Sequence, residues 1–227
     1  GAGFTNVPYK RENGKFVTDG TTIYFNDTET HTFHAYYPYQ SDGGTVTVST
    51  AADKQGADID FLFASGATGD THNPTVSFTG DHAFHHCMSL IKFTFKAGDG
   101  LSFNETEPAG YTLEELKHEG TFDTATGTTA VTAASESPIT MQLGGATTSQ
   151  VIILPQEVTS SLNLKVSYNG QSYNAQLKLP ATPTANFYTA GYAYTYNITL
   201  NNKDIEVSDP TINPWESGDS NDASAEL

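Results

Sequence analysis

Hydrophobic and polar residues alternate along many short runs of this chain, and turn residues separate the runs. In HTFHAYYPY, Phe33, Ala35 and Tyr37 fall on one face of an extended chain, while His34 and Tyr36 fall on the other. Further runs of this kind are TTIYFND, GGTVTVST, DIDFLFAS, SPITMQL, SQVIILPQ, SLNLKVSYNG, QSYNAQLKLP and AGYAYTYNITL. Because a period of two between Gly, Pro and Asn residues indicates strands, the pattern predicts an all-β fold.

The stretch DHAFHHCMSLIKFTF changes the parity of its apolar positions. Up to Leu90 the apolar residues occupy even positions, and from Ile91 onward they occupy odd positions, as at Phe93 and Phe95. Such a switch in one strand indicates a bulge or a crossing between two sheets. We therefore expect either a bulge or a crossing between two sheets close to Leu90.

Two segments depart from the strand pattern. YTLEELKHEG, residues 111–120, predicts one short helix, with Thr112 and Glu115 at capping-box spacing and Gly120 just beyond it. The polar stretch GATGDTHNP, residues 66–74, has the composition of a linker. We therefore expect a small amino-terminal β domain over 1–74, a sandwich that is short of some strands. A carboxy-terminal β-sandwich domain over 75–227 would follow, ending in an acidic, solvated tail.

The charge of the chain excludes several classes of partner. The formal net charge is −16, and Arg11 is the only arginine. Nucleic acid needs clustered Lys and Arg, so it is excluded as a natural partner, and docking on anionic lipid is disfavoured. No apolar run approaches the roughly 18 residues that a membrane-spanning helix needs. Since the chain opens GAGFTNVPYK, we expect a signal peptide and any lipid anchor to lie outside it.

Three histidines and the only cysteine of the chain stand close together, which raises the question of a metal site or a thiol nucleophile. In a strand His86 and Cys87 point to opposite faces, so they cannot share one metal ion. Pairs on one face, such as His82 with His86, fall short of the three or four ligands of zinc. A nucleophilic Cys87 would need a base and a polarised niche, and its apolar strand favours an inert thiol. We predict no catalytic residue, no metal and no cofactor.

Two sets of tyrosines are candidates for a carbohydrate platform. Tyr36, Tyr37 and Tyr39 surround Pro38 at a strand end, and they are the candidate saccharide contacts. A second set alternates along AGYAYTYNITL and continues in register into aliphatic residues, which favours a place in the core.

An ordered set of motifs, over roughly residues 30 to 216, resembles the fimbrillin-like (Mfa-like) family. The motifs are FHAYYPY, DFLFASG, FHHCMSLIKFTF, ILPQ, AGYAYTYNITL and INPWE. That family comprises surface proteins of Gram-negative anaerobes that build or decorate type V pili. The resemblance implies two tandem transthyretin-like β-sandwich domains, no catalytic activity, export as a lipoprotein, and a place in the fimbrium at the outer membrane.

The resemblance also implies a function and partners. We expect a fimbrial structural, accessory or tip subunit that acts in adhesion through protein–protein contacts. Its partners would be other fimbrial subunits, by strand exchange or docking, and a ligand on a host or bacterial surface. The last eleven residues are too polar to be a donated strand, and Pro210 and Pro214 interrupt the alternation before them. These features disfavour a stalk role and leave tip, accessory and anchor roles open. The alternative function is a carbohydrate-binding surface lipoprotein.

Two local features suggest processing and modification. The resemblance implies one of them, since stalk subunits of type V pili mature when a protease, often arginine-specific, removes an amino-terminal strand. Arg11, in the polar segment YKRENGK, is the candidate site here, and an ordinary surface charge is the alternative. Asp123-Thr124-Ala125 resembles a bacterial O-glycosylation acceptor, with Thr124 as the candidate residue on an exposed stretch. A chance tripeptide in a Thr-rich chain is the alternative there.

Overall fold

The computed structural model describes residues 4–13, 15–132, 137–159 and 161–216, and the backbone of 223–226. Its regular structure is almost entirely strand, with three short 3-10 turns at Ala52–Lys54, Ala57–Ile59 and Gly80–His82. No α-helix occurs in these ranges. The predicted all-β class is therefore confirmed.

The strands follow one another in twenty-one short segments. The first seven are β1 (Tyr9–Glu12), β2 (Lys15–Thr18), β3 (His31–Tyr37), β4 (Thr45–Ser49), β5 (Leu62–Gly69), β6 (Thr75–Phe78) and β7 (His85–His86). The next seven are β8 (Ser89–Ala97), β9 (Gly110–Leu113), β10 (Glu119–Asp123), β11 (Thr129–Val131), β12 (Ile139–Gln142), β13 (Thr148–Ile153) and β14 (Gln156–Glu157). The last seven are β15 (Leu162–Tyr168), β16 (Gln171–Leu177), β17 (Phe187–Tyr188), β18 (Tyr192–Leu200), β19 (Ile205–Val207), β20 (Thr211–Pro214) and β21 (Ala223–Glu226).

The carboxy-terminal part is a β-sandwich. One sheet has the order β12-β9-β15-β16, and the other has the order β13-β8-β18-β19, with β20 also paired to β18. Strand β15 shows why the sequence folds this way, because Leu162, Leu164 and Val166 are fully buried between the sheets while Lys165 between them faces solvent. The two sheets enclose the larger apolar core of the protein.

Smaller sheets form the amino-terminal part. Their strand orders are β3-β5-β7, β11-β10-β4 and β1-β2-β21-β6. A second apolar cluster, which includes Val48, Phe61, Phe63 and Phe122, packs beneath them and reaches Leu90 of the sandwich. The pairing of β4 with β10 and of β5 with β7 joins residues from both sides of position 74. The division into 1–74 and 75–227 stays a prediction.

Of the two alternatives for the parity switch near Leu90, the structure shows the crossing between sheets. Strand β7 pairs with β5, whereas β8, which begins three residues later, pairs with β13 and β18. Met88 and Leu90 accordingly contact the smaller core, while Ile91 and Phe93 contact the larger one. The parity switch in the sequence thus marks the point at which the chain passes from the smaller core to the larger one.

The predicted helix over 111–120 is wrong. Strand β9 occupies its first part and pairs on one side with β12 and on the other with β15, so tertiary pairing overrides the capping signal. Glu115 has a positive φ of 73° and does not cap a helix. Its carboxylate instead accepts hydrogen bonds from the backbone and the side-chain amide of Asn163, at 3.2 and 2.9 Å.

Two further segments differ from expectation. The predicted linker 66–74 is strand as far as Gly69, and a turn follows in which the Asp70 carboxylate accepts hydrogen bonds from the backbone N–H groups of His72 and Asn73. The tail, expected to be solvated, includes strand β21. This strand pairs antiparallel with β6 and parallel with β2, because backbone hydrogen bonding needs no apolar side chains.

Candidate functional site

The candidate site is the loop between β3 and β4, residues 38–44, with the end of β3. Tyr37 is 50 % exposed and Tyr39 is 47 % exposed, whereas Tyr36 is half-buried. The alternation of β3 explains the difference, since Tyr36 turns inward and its ring centroid lies 6.1 Å from that of Phe122 in the smaller core. The structure therefore separates the three tyrosines into one anchor and two surface rings.

Hydrogen bonds around the Tyr36 hydroxyl hold the loop in place. The Tyr36 hydroxyl is hydrogen-bonded to Asn6 Oδ1, and it also lies 3.1 Å from the carbonyl oxygen of Gln40. Asn6 Nδ2 donates to the carbonyl oxygens of Gln40 and Ser41, at 2.9 and 3.1 Å. Partial burial raises the pKa of the Tyr36 phenol, so it stays a neutral donor at physiological pH. The amino-terminal segment thus clamps the loop through Asn6, whose φ is 53°.

The opposite side of the loop contacts the turn between β10 and β11. The backbone N–H of Thr124 donates to the carbonyl oxygen of Gly44 at 2.9 Å. Thr124 is only 5 % exposed, so the expectation of an exposed glycosylation acceptor is wrong in its structural part. The cause is the contact with the loop that ends at Gly44. The Asp123 carboxylate accepts hydrogen bonds from the N–H groups of Ala125 and Thr126 and so fixes the turn in which Thr124 meets that loop. Glycosylation at Thr124 itself stays a prediction.

Arg11 lies apart from this loop, on the outer strand β1. It is exposed, as expected, and it lies opposite Phe16 in the β1–β2 ladder. The neighbouring Lys10 pairs with Glu12 and Asp19 at 3.1 and 3.4 Å. Processing at Arg11 stays a prediction.

The histidine–cysteine stretch is a structural junction. Burial, together with the Asp60 charge, raises the pKa of the Cys87 thiol to about 12, which leaves it protonated at neutral pH. His86 Nδ1 lies 2.7 Å from Asp60 Oδ1, and the imidazole stacks on Trp215. Among the described residues, no group of three or more His, Cys, Asp and Glu side chains is placed to hold a metal ion.

The second tyrosine set is core, as the sequence favoured. Tyr194 and Tyr196 are fully buried, and the Tyr196 hydroxyl is hydrogen-bonded to the Tyr188 hydroxyl and to the carbonyl oxygen of Lys178. These rings are unavailable to any ligand.

Sequence reasoning missed two residues that position the elements around the site. Asn6 is one, since nothing in GFTNVPY marks it as a clamp. Gln55 is the other: its amide Nε2 donates to the carbonyl oxygens of Thr50 and Ile152, and its Oε1 accepts from the Ile152 N–H at 2.8 Å. Gln55 therefore completes the outer edge of β13 in place of a strand. The only signal in the sequence was that Asn tolerates a positive φ, which Asn6 adopts.

The described part of the chain contains no helix long and apolar enough to cross a membrane. Its geometry defines a class: an all-β sandwich protein whose candidate site is a braced surface loop.

The sequence model of the fimbrillin-like family matches residues 2–215, so the chain belongs to this family. The family predicted from the ordered motifs is confirmed, and with it the class of function, a fimbrial and adhesion protein. A structural rather than an enzymatic role and a cell-surface location agree with the family.

Solved structures of similar proteins agree with this assignment. A proposed cell adhesion protein of Bacteroides uniformis is 27 % identical, with a TM-score of 0.74, and the match covers 88 % of this chain and 80 % of that one. A proposed cell adhesion protein of Bacteroides ovatus has the same identity and TM-score, with 94 % and 80 % covered. A fimbrial protein of Bacteroides vulgatus shares the fold at 13 % identity and a TM-score of 0.53, with 93 % and 85 % covered. No curated protein sequence matches the chain.

Proposed function

We propose that this protein is a subunit of a surface fimbria and joins other subunits by exchange of strand β21. The observation that carries the proposal is the position of that strand. It lies in the middle of a sheet, between β2 and β6, although the neighbouring strands come from the amino-terminal part of the chain. Family membership supports the fimbrial role.

The pairing of β21 favours exchange for a physical reason. Four residue pairs join it to β6 and one pair joins it to β2, and main-chain hydrogen bonds of this kind are the same whichever copy supplies the strand. A strand that leaves its own sheet exposes unpaired N–H and C=O groups on β2 and β6, and the β21 of a second copy would satisfy them. Docking of closed subunits, without exchange, is the alternative mode of contact.

Processing at Arg11 would act on the same sheet. Cleavage after Arg11 would detach most of β1, the outer strand, and free one edge of β2. Export as a lipoprotein, through a signal outside this chain, completes the proposal and rests on the resemblance of the motifs. A ligand on a host or bacterial surface would then give the assembled fimbria its adhesive role.

A pair of cysteine variants tests the exchange. Ser77 on β6 lies opposite Ser224 on β21, and the only native cysteine is buried. Full-length Ser77→Cys and Ser224→Cys proteins are mixed at high concentration and oxidised. Exchange predicts a disulfide-linked dimer of the two variants on a non-reducing gel. Ser41→Cys, an exposed loop position, replaces Ser77→Cys in the control and should give no excess of mixed dimer.

The matching double variant reports on the closed form. Ser77→Cys/Ser224→Cys in one chain should form an internal disulfide when the protein is dilute. An internal disulfide at all concentrations, with no mixed dimer from the single variants, would contradict strand exchange and leave docking as the mode of contact.

A further inference from the structure

Four large hydrophobic side chains of the amino-terminal part are exposed, and two of them are close together in the sequence. The large hydrophobic residues with substantial exposure, among those described, are Phe4 at 43 %, Tyr24 at 68 %, Tyr37 at 50 % and Tyr39 at 47 %. Tyr37 and Tyr39 stand on either side of Pro38, and Phe4 is two residues from the Asn6 clamp. Single exposed apolar residues are ordinary on protein surfaces, but a group of them on one loop marks a contact site.

The loop next to the two tyrosines is braced, so the backbone that presents their rings is fixed before any ligand arrives. Within it, Gly43 N–H donates to the carbonyl oxygen of Gln40 at 3.2 Å, and Gln40 Nε2 donates to that of Pro38 at 3.3 Å. Asn6 holds one side of the loop and Thr124 the other. Preorganised groups lose less conformational entropy on binding, which matters most for ligands with few contacts.

The charge around the loop favours a neutral ligand over an anionic one. No Lys or Arg occurs between residues 16 and 53, and none occurs between residues 118 and 164, which include the neighbouring β10–β11 turn. Asp42 is exposed on the loop itself. An anionic ligand would meet repulsion from the net charge of −16, and neither the loop nor the β10–β11 turn carries a Lys or Arg to bind it.

We propose that Tyr37 and Tyr39 form a binding site for neutral saccharides. The C–H faces of a neutral hexose are apolar enough to cover a phenol ring, while its hydroxyl groups can donate to the Asp42 carboxylate and exchange hydrogen bonds with the tyrosine hydroxyls. Tyr37 and Tyr39 lie on β3 and the loop after it and not in the sheet that contains β21, so strand exchange leaves them in place. Cleavage after Arg11 would remove Asn6, so the site is tested on the uncut chain. It can therefore fail or succeed separately from the proposed function.

The test uses the folded full-length chain on an array of neutral oligosaccharides and their sialylated counterparts, followed by isothermal titration calorimetry with the best neutral oligosaccharide. We expect binding in the range of about 10 µM to 1 mM, which corresponds to roughly −4 to −7 kcal/mol. Tyr37→Ala and Tyr39→Ala should each weaken it about tenfold or more, since a buried aromatic contact dominates small sites. The sialylated counterpart should bind more weakly.

Two variants separate a binding site from a general effect on folding. Tyr24→Ala removes a ring that is even more exposed but lies outside the loop, and it should leave the affinity unchanged. Asn6→Gly removes the clamp while tolerating the positive φ, and it should weaken saccharide binding without abolishing it. Absence of binding to every neutral saccharide at millimolar concentration overturns the proposal. Binding that survives the Tyr37→Ala/Tyr39→Ala double variant, or a preference for sialylated glycans, overturns it as well.

Discussion

The imidazole of His86 lies flat on the indole of Trp215, with ring centroids 3.9 Å apart and ring planes inclined by 5°. Two backbone hydrogen bonds fix the segment that carries Trp215. The N–H of Trp215 donates to the carbonyl oxygen of Gly191 at 2.7 Å, and the N–H of Gly191 donates to the carbonyl oxygen of Met88. Three motifs that are far apart in the sequence, FHHCMS, AGYAY and INPWE, therefore meet at one place. They meet at the junction between the two cores, where Met88 belongs to the smaller core and Ile91 to the larger.

The stack predicts a coupled loss of stability. Trp215→Ala and His86→Ala should each lower the free energy of unfolding by about 2–4 kcal/mol, since each removes a large ring from a packed contact. The double variant should lose less than the sum, with a coupling of about 0.5–1.5 kcal/mol, which is the range for aromatic pairs. Urea unfolding at pH 7 measures all three. Asn213→Ala, an exposed position of β20, is the control, and strict additivity would mean that the rings do not interact.

The hydrogen bonds of Gln55 predict that its substitution lowers the free energy of unfolding, although nothing in the sequence marks the position. Gln55→Ala removes three hydrogen bonds to the backbone of Thr50 and Ile152 and should cost about 2–3 kcal/mol, at roughly 1 kcal/mol per bond. Gln150→Ala, an exposed glutamine on β13, should change the free energy of unfolding by less than about 0.5 kcal/mol. Equal effects of the two variants would show that β13 needs no such partner.

Two buried phenols and a buried thiol predict that the free energy of unfolding falls at high pH. Burial raises the pKa of the Tyr111 and Tyr196 phenols and of the Cys87 thiol to about 12, so folding favours their protonated forms. This contribution is complete below the pKa values of the unfolded chain, 9 for the thiol and 10 for the phenols, and it is lost as the pH rises toward 12. The urea midpoint should therefore fall steadily between pH 9 and pH 12. A constant midpoint across that range would contradict the burial of these groups.

The single arginine gives a clean assay for processing. An arginine-specific protease should cut the native chain once, after Arg11, because that residue is exposed on an outer strand. The Arg11→Lys variant should resist the same enzyme. If cleavage frees an edge of β2, the trimmed protein should form multimers in size-exclusion chromatography, while the uncut variant should not. A trimmed protein that remains monomeric at high concentration would count against a role for Arg11 in assembly and favour a tip or accessory subunit.

Particular residues show how far the sequence predicts this structure. The alternation of β15 and the parity switch between Met88 and Ile91 are local patterns, and both were predicted. The helix over 111–120 failed because pairing with β12 and β15 outweighs a capping signal of a few residues. At the candidate site the surface tyrosines were predicted, but Asn6 was not, because its contacts with Gln40 and Ser41 join residues 34 and 35 positions apart. The burial of Thr124 escaped prediction for the same reason, since it depends on the loop that ends at Gly44.

Immunogold electron microscopy of whole cells, with antibodies to this chain, tests the fimbrial role most directly. A fimbrial subunit should carry gold on surface filaments, along them if it is structural or at their ends if it is a tip subunit. Deletion of the gene should remove the gold, and for a structural subunit it should remove the filaments as well. Gold restricted to the cell envelope or the cytoplasm, with no filament labelled in wild-type cells, would contradict the fimbrial role.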